Sequence, residues 1–245
     1  MTTVRLMRRL ARPAIAAAVL VLGLAAPSRA GIVVTVKDTN SITGLVASTS
    51  FTDAGTPGVA TFAGSSFGNF VVESLSVTAN YDGSVLPNPG TAKVQDIDIS
   101  AHDEAKAGVD TLSISVKTLP YSVPGGSPLF LNSGQTSAFL SGGASSQFVS
   151  SLISGPDTTT TAPATITGAG FVLKTAPSPQ VLAPNHVPPF ELDNSLTITM
   201  AGGETGNVNG TTTVSAVPEP ATTVMILSGL PLLGLGYWAR RRRLG

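Results

Sequence analysis

The chain has no cysteine, one tryptophan, two histidines and, between residues 31 and 216, no arginine. Each absence closes a class of chemistry. Without cysteine there is neither disulfide nor thiolate, so stability has to come from a buried core. His102 and His186 stand far apart, with no spacing that converges three or four zinc ligands, and both read as surface histidines. Aromatic residues make up 5% of the chain. No platform for stacking sugars is apparent; Tyr81, Tyr121, Phe130 and Phe190 are the residues that could contribute to one.

The missing arginines matter more, because all nine of them lie outside residues 31–216. That central region holds five lysines against thirteen carboxylates, a net charge of −8. Nothing in it would neutralise a phosphate backbone, which argues against nucleic acid as a partner. An anionic polymer would also be repelled unless divalent cations bridged the two.

The arginines mark the ends. Arg5, Arg8, Arg9 and Arg12 form a basic segment, residues 14–26 are apolar, and Ser28-Arg29-Ala30 places small residues where signal peptidase reads. Residues 1–30 are therefore expected to be a signal peptide cleaved between Ala30 and Gly31. Arg8-Arg9 fits the twin-arginine route poorly, and the general secretory route is expected. At the other end, Val217-Pro218-Glu219-Pro220 precedes an uncharged apolar run over 221–238, and Arg240, Arg241, Arg242 and Arg243 follow. At roughly 1.5 Å per residue that run reaches about 27 Å as a helix, enough for a bilayer core. The arginines act as a stop-transfer signal on the cytoplasmic side, leaving the ectodomain outside.

The order Pro-Glu-Pro, apolar span and arginine cluster resembles the PEP-CTERM sorting signal of Gram-negative bacteria. The resemblance covers residues 217–245 only. It implies processing at this tail by exosortase, a membrane-embedded cysteine protease. It also implies transient anchoring in the inner membrane, followed by a place at the cell surface or in an exopolysaccharide biofilm matrix.

Between the ends the pattern is that of strands. Leu112, Ile114 and Val116 alternate with Ser113, Ser115 and Lys117; Leu196, Ile198 and Met200 alternate with Thr197 and Thr199. Further strands are expected over 32–36, 59–63, 70–78, 93–100, 147–153, 171–174 and 211–214, with Gly/Pro turns between them. The run at 155–163 reads as a long loop, a β-edge or a linker. The proline-rich run at 177–189 reads as an extended surface loop. The expected fold is all-β: an antiparallel β-sandwich over 31–205, a weak last strand and linker over 206–216, and a single transmembrane helix in the sorting signal.

Two motifs carry candidate chemistry. Gly64-Ser65-Ser66-Phe67-Gly68 has the spacing of a nucleophile elbow, but strand rather than helix follows it, and Ser66 is expected in a small-residue loop. Asp96, Asp98, Asp103 and Glu104 form the densest set of oxygen ligands, and a hard cation such as Ca²⁺ could use them. The plainer reading is a strand with Ile97 and Ile99 inward and their neighbours polar. No catalytic constellation and no obligatory cofactor are expected. The function expected is structural or binding, at the surface or in the matrix, with exopolysaccharide as a partner. A secreted hydrolase and a calcium-dependent carbohydrate-binding or adhesive module are the alternatives.

Overall fold

The computed structural model describes residues 31–53, 56–81, 92–105, 108–125, 128–168 and 173–217. Residues 1–30, expected to be a signal peptide ending at Ala30, lie outside the described residues, as do Pro218, Glu219, Pro220, the apolar run 221–238 and Arg240–Arg243. Among those described, no helix is long and apolar enough to cross a membrane.

The strands are β1 (Ile32–Asn40), β2 (Gly44–Thr52), β3 (Val59–Phe67), β4 (Phe70–Ala79), β5 (Ala92–Asp103), β6 (Val109–Tyr121) and β7 (Leu129–Leu140). They continue as β8 (Ser145–Ser154), β9 (Asp157–Thr160), β10 (Ala164–Thr167), β11 (Lys174–Pro177), β12 (Val181–Ala183), β13 (Phe190–Ala201) and β14 (Thr205–Ala216). They form two sheets of seven. The first runs β10-β8-β13-β6-β1-β2, with β9 beside β8; the second runs β11-β7-β14-β5-β4-β3, with β12 beside β7. All the strand pairs are antiparallel. The expected antiparallel β-sandwich is therefore what forms.

Alternation drives it. Every second residue along most of β1, β6 and β13 is buried, and the majority are apolar: Ile32, Val34 and Val36; Leu112, Ile114 and Val116; Leu192, Leu196, Ile198 and Met200. Phe70, Val72, Leu75, Val77, Ile97 and Ile99 face them from the second sheet, in one continuous core. Phe51 of β2 and Phe62 of β3 stack at 5.7 Å where the two edge strands approach each other.

The expected weak strand and linker at 206–216 is corrected. Those residues belong to β14, a twelve-residue strand hydrogen-bonded between β5 and β7. Its inner face reads Gly206, Val208, Gly210, Thr212 and Val214, and the glycines hide its role. A Cβ on Gly210 would lie 2.6 Å from the Phe148 ring, and one on Gly206 would lie 2.6 Å from Met200 Cε. Large side chains from the first sheet press on bare backbone there, so the strand cannot carry an apolar row of its own.

β7 was missed for a related reason: its inner residues include Ser133, Gln135 and Ser137, all buried. Their polar atoms are used. Gln135 Nε2 donates to Ser146 O at 3.0 Å and Ala164 O at 2.6 Å, Ser146 Oγ donates back to Gln135 Oε1, and Ser133 Oγ donates to Thr161 Oγ1. A buried polar side chain with its bonds made is tolerated in a core. The run at 155–163 forms the edge strand β9, paired with β8. The proline-rich run carries β12 against β7 and is fastened by Ser178 N to Ser133 O and Ser154 Oγ to Val187 O.

Candidate functional site

The outer face of the first sheet holds a set of converging polar side chains. The pleat that sends Leu112, Ile114 and Val116 inward sends Ser113, Ser115 and Lys117 outward. Register then sets their neighbours. Thr35 of β1, Ser115 of β6 and Ser195 of β13 lie in one row, continued by Ser50 of β2. One row along are Ser48, Lys37, Ser113 and Thr197; on the other side are Thr52, Val33, Lys117 and Asp193.

Short side chains at the centre and lysines at the flanks leave a groove of about 440 Å³, lined by Val33, Thr35, Lys37, Ser113, Ser115, Lys117 and Ser195. Four of its seven lining residues carry a hydroxyl group. Thr35 Oγ1 and Ser50 Oγ are 3.1 Å apart, within hydrogen-bonding reach. Lys117 Nζ bonds Glu191 Oε1 at 3.1 Å, and that bond with its charge raises the lysine pKa, so the ammonium is retained. Across the row, burial raises the Asp193 carboxyl above its ordinary range, while Lys117 and a 3.4 Å bond from Ser115 pull it back down.

Beyond Lys117 the same face ends in an apolar hollow of about 370 Å³. Leu119, Pro120, Ile153, Pro189 and Phe190 line it, with Glu191 at its rim. From Ser113 to Leu119 the two stretches cover about 20 Å at roughly 3.4 Å per residue. The arrangement suits a long ligand with many hydroxyls that lies along the strands and meets apolar surface at one end.

The calcium set inferred from sequence does not gather. Asp98 is exposed on the outside of β5, whereas Asp103 is 1% exposed on the inside, because five positions along a strand reverse the face. Glu104 is exposed beyond the strand, and the side chain of Asp96 lies outside the described residues. Among the described residues, no group of three or more His, Cys, Asp or Glu side chains is arranged to hold a metal ion. On the outer face of the second sheet His102 stands between Glu73, 3.4 Å from Nδ1, and Glu104, 3.6 Å from Nε2; Ser100 Oγ donates to Glu73 at 2.7 Å.

Asp103 meets two other buried carboxylates instead, Asp38 and Asp110, both 0% exposed. Each keeps one oxygen satisfied. Asn69 N donates to Asp38 at 2.7 Å, Ala105 N to Asp103 at 2.7 Å, and Asn69 Nδ2 to Asp110 at 3.0 Å. The second oxygen of each is buried without a hydrogen-bond partner. Burial, and then the neighbouring carboxylates, push the Asp38 and Asp103 carboxyls above their ordinary range. Gly68 makes room for this corner: at φ +61° it admits no ordinary side chain, and a Cβ there would lie 2.1 Å from Asp38 Oδ2.

Two other expectations change. Ser66 lies in β3, opposite Val71 of β4, so no strand-to-helix elbow forms around it. His186 is buried rather than on the surface, with Nε2 3.0 Å from Leu152 O, because the proline-rich segment folds back against β8. Tyr81, Tyr121 and Phe190 are buried, the last two stacked at 5.6 Å, so neither tyrosine offers an open face to a sugar, and Phe190, 3% exposed, adds little to the apolar hollow it lines. Of residues 217–220, expected to form a sorting motif, Val217 alone is described; its N donates to Pro128 O at 3.4 Å.

No family model and no curated protein matches the chain. Among solved structures, a carbohydrate-binding module in complex with β-1,4-galactotriose is 10% identical, with 56% of this chain and 80% of that one covered and a TM-score of 0.28. A family 11 carbohydrate-binding module from Clostridium thermocellum is 13% identical, covering 75% of this chain and 97% of its own, at TM-score 0.24. The Gx strain of infectious bursal disease virus gives 10% identity, 77% and 56% coverage and a TM-score of 0.32. At such scores none of these likenesses bears on what this chain binds.

Proposed function

We propose that the protein is exported and binds a hydroxyl-rich extended polymer, an exopolysaccharide of the cell surface or matrix, along the outer face of its first sheet. The observation that carries this reading is the groove: serine and threonine hydroxyls from three adjacent strands line it, and Lys37 and Lys117 flank it. Hydroxyls both donate and accept, as the hydroxyls of a sugar do, and open strands offer a repeating track. Lys117 is paired with Glu191 beside Asp193, so its charge is locally balanced and Lys37 is the other lysine of the track. The balance favours a polymer recognised through its hydroxyls over one recognised through its charge.

Delivery is the other half of the proposal. The signal peptide at residues 1–30 takes the chain through the general secretory route, and signal peptidase cuts between Ala30 and Gly31. The Pro218-Glu219-Pro220 motif, the span 221–238 and Arg240–Arg243 then hold it at the inner membrane until an exosortase releases it. The role is binding rather than catalysis.

The test is affinity electrophoresis of the mature protein, recovered from its own host, through gels containing that host's exopolysaccharide. Retarded migration that Ser115→Ile abolishes is the expected result. Migration independent of the polymer would refute the binding reading. Intact mass of the same material tests delivery, with a chain starting at Gly31 and lacking the tail as the expected species.

A further inference from the structure

Gly31 sits in a tight pocket at the start of β1. The residue is buried, its carbonyl accepts a bond from Leu119 N at 3.0 Å, and the ring of Tyr81 lies directly over it. A Cβ at this position would fall 1.8 Å from Tyr81 Cζ, so glycine alone fits. Tyr81 Oη donates to Asp53 Oδ2 at 2.5 Å, and Gly58 N donates to the same oxygen at 2.9 Å. The other oxygen, Oδ1, receives only a long 3.3 Å bond from Ile32 N.

Asp53 is 6% exposed and has no cation within salt-bridge distance among the described residues. A buried carboxylate with an under-used oxygen calls for a positive partner. Tyr81 does not supply one. Burial, then the bond to Asp53 and its charge, push the tyrosine hydroxyl up to about 12, so it stays a neutral donor.

We propose that Asp53 and Tyr81 form a binding site for the α-ammonium group of Gly31, created when the signal peptide is removed. This rests on the cleavage reading above. While Ala30 is attached, the nitrogen of Gly31 is a neutral amide; hydrolysis of the Ala30–Gly31 bond turns it into a primary ammonium. The new charge lies one residue from the Ile32 amide already bonded to Asp53, and beside the Tyr81 ring, whose π face attracts cations. Export thereby completes the site: cleavage supplies the charge that fastens β1 into the first sheet.

The test compares two mature proteins produced from the full chain. One is the natural form; the other carries a serine inserted between Ala30 and Gly31, which moves the ammonium out by about 3.4 Å. The insertion is expected to lower Tm by about 2–4 °C. In an Asp53→Asn background the two forms should melt together. A second readout covers the case in which Asp53→Asn fails to accumulate. At neutral pH the natural α-amine should be acetylated about tenfold more slowly than the displaced one, as one unit of raised amine pKa requires. Equal Tm and equal reactivity in proteins whose masses confirm starts at Gly31 and at the inserted serine would overturn this site alone. A natural chain starting elsewhere would overturn the cleavage reading and this site with it.

Discussion

The two sheets share one core but present different outer faces. On the first, Thr35, Ser113, Ser115 and Ser195 sink between Lys37 and Lys117 to form the groove. On the second, Glu73 and Glu104 flank His102, and Asp98 is exposed further along β5. The inner faces differ far less, since both are dominated by Val, Leu, Ile and Phe. A strand's alternation separates the two tasks: inner residues are constrained by packing, while outer ones are free to specialise. Stability is therefore expected to follow the inner rows, and recognition the outer row of one sheet.

The largest effect should come from the inner rows. Phe148→Ala removes the ring that fills the space over Gly210 and should destabilise the fold by about 3–5 kcal/mol, read by chemical denaturation. The groove should respond in the opposite way. Ser115→Ile should weaken polymer binding by about tenfold or more, roughly 1.4 kcal/mol, while Tm moves little. His102→Ala on the other face should leave binding unchanged, and equal losses from both variants would dissolve the distinction between the faces.

The buried carboxylates sharpen the comparison from inside. Asp38 and Asp103 have folded pKa values raised above the ordinary 3.8. For such groups the stabilising contribution is fully present below the unfolded pKa and is lost as pH rises through the folded value. Asp103→Asn keeps the oxygen that accepts from Ala105 and places an amide donor against the unpartnered oxygens. It should raise stability at pH 7 by on the order of 1 kcal/mol, with the gain shrinking towards pH 4. A melting series across pH checks both the sign and the window. Smallest of all, Lys117→Gln breaks an exposed bond to Glu191 and should cost under about 1 kcal/mol in stability.

Alternation made some of this legible in the sequence. β4, β6 and β13 were readable because most of their inner residues are apolar, with Asp110, Thr118 and Asn194 the buried polar exceptions in β6 and β13. β14 and β7 were not, because glycines make way for Phe148 and Met200 in one, and Ser133, Gln135 and Ser137 form buried bonds in the other. β2 escaped because it is an edge strand with polar or exposed residues on both faces. The groove was half visible. Ser113, Ser115 and Lys117 could be assigned to the outside of a strand, but pairing with Thr35 and Ser195 depends on register between segments 80 residues apart. For the same reason the acidic run at 96–104 left calcium open beside the plainer reading of a strand with Ile97 and Ile99 inward: sequence does not reveal that Asp103 turns inward to meet Asp38 and Asp110.

The most direct measurement of the central claim is lysine reactivity with and without exopolysaccharide, read by mass spectrometry after brief acetylation of the mature protein. Lys37 and Lys117 flank the groove, whereas Lys174 lies on β11 at the edge of the second sheet. The account predicts that polymer protects Lys37 and Lys117 and leaves Lys174 as reactive as before. Unchanged reactivity at all three, or protection of Lys174 alone, would contradict it.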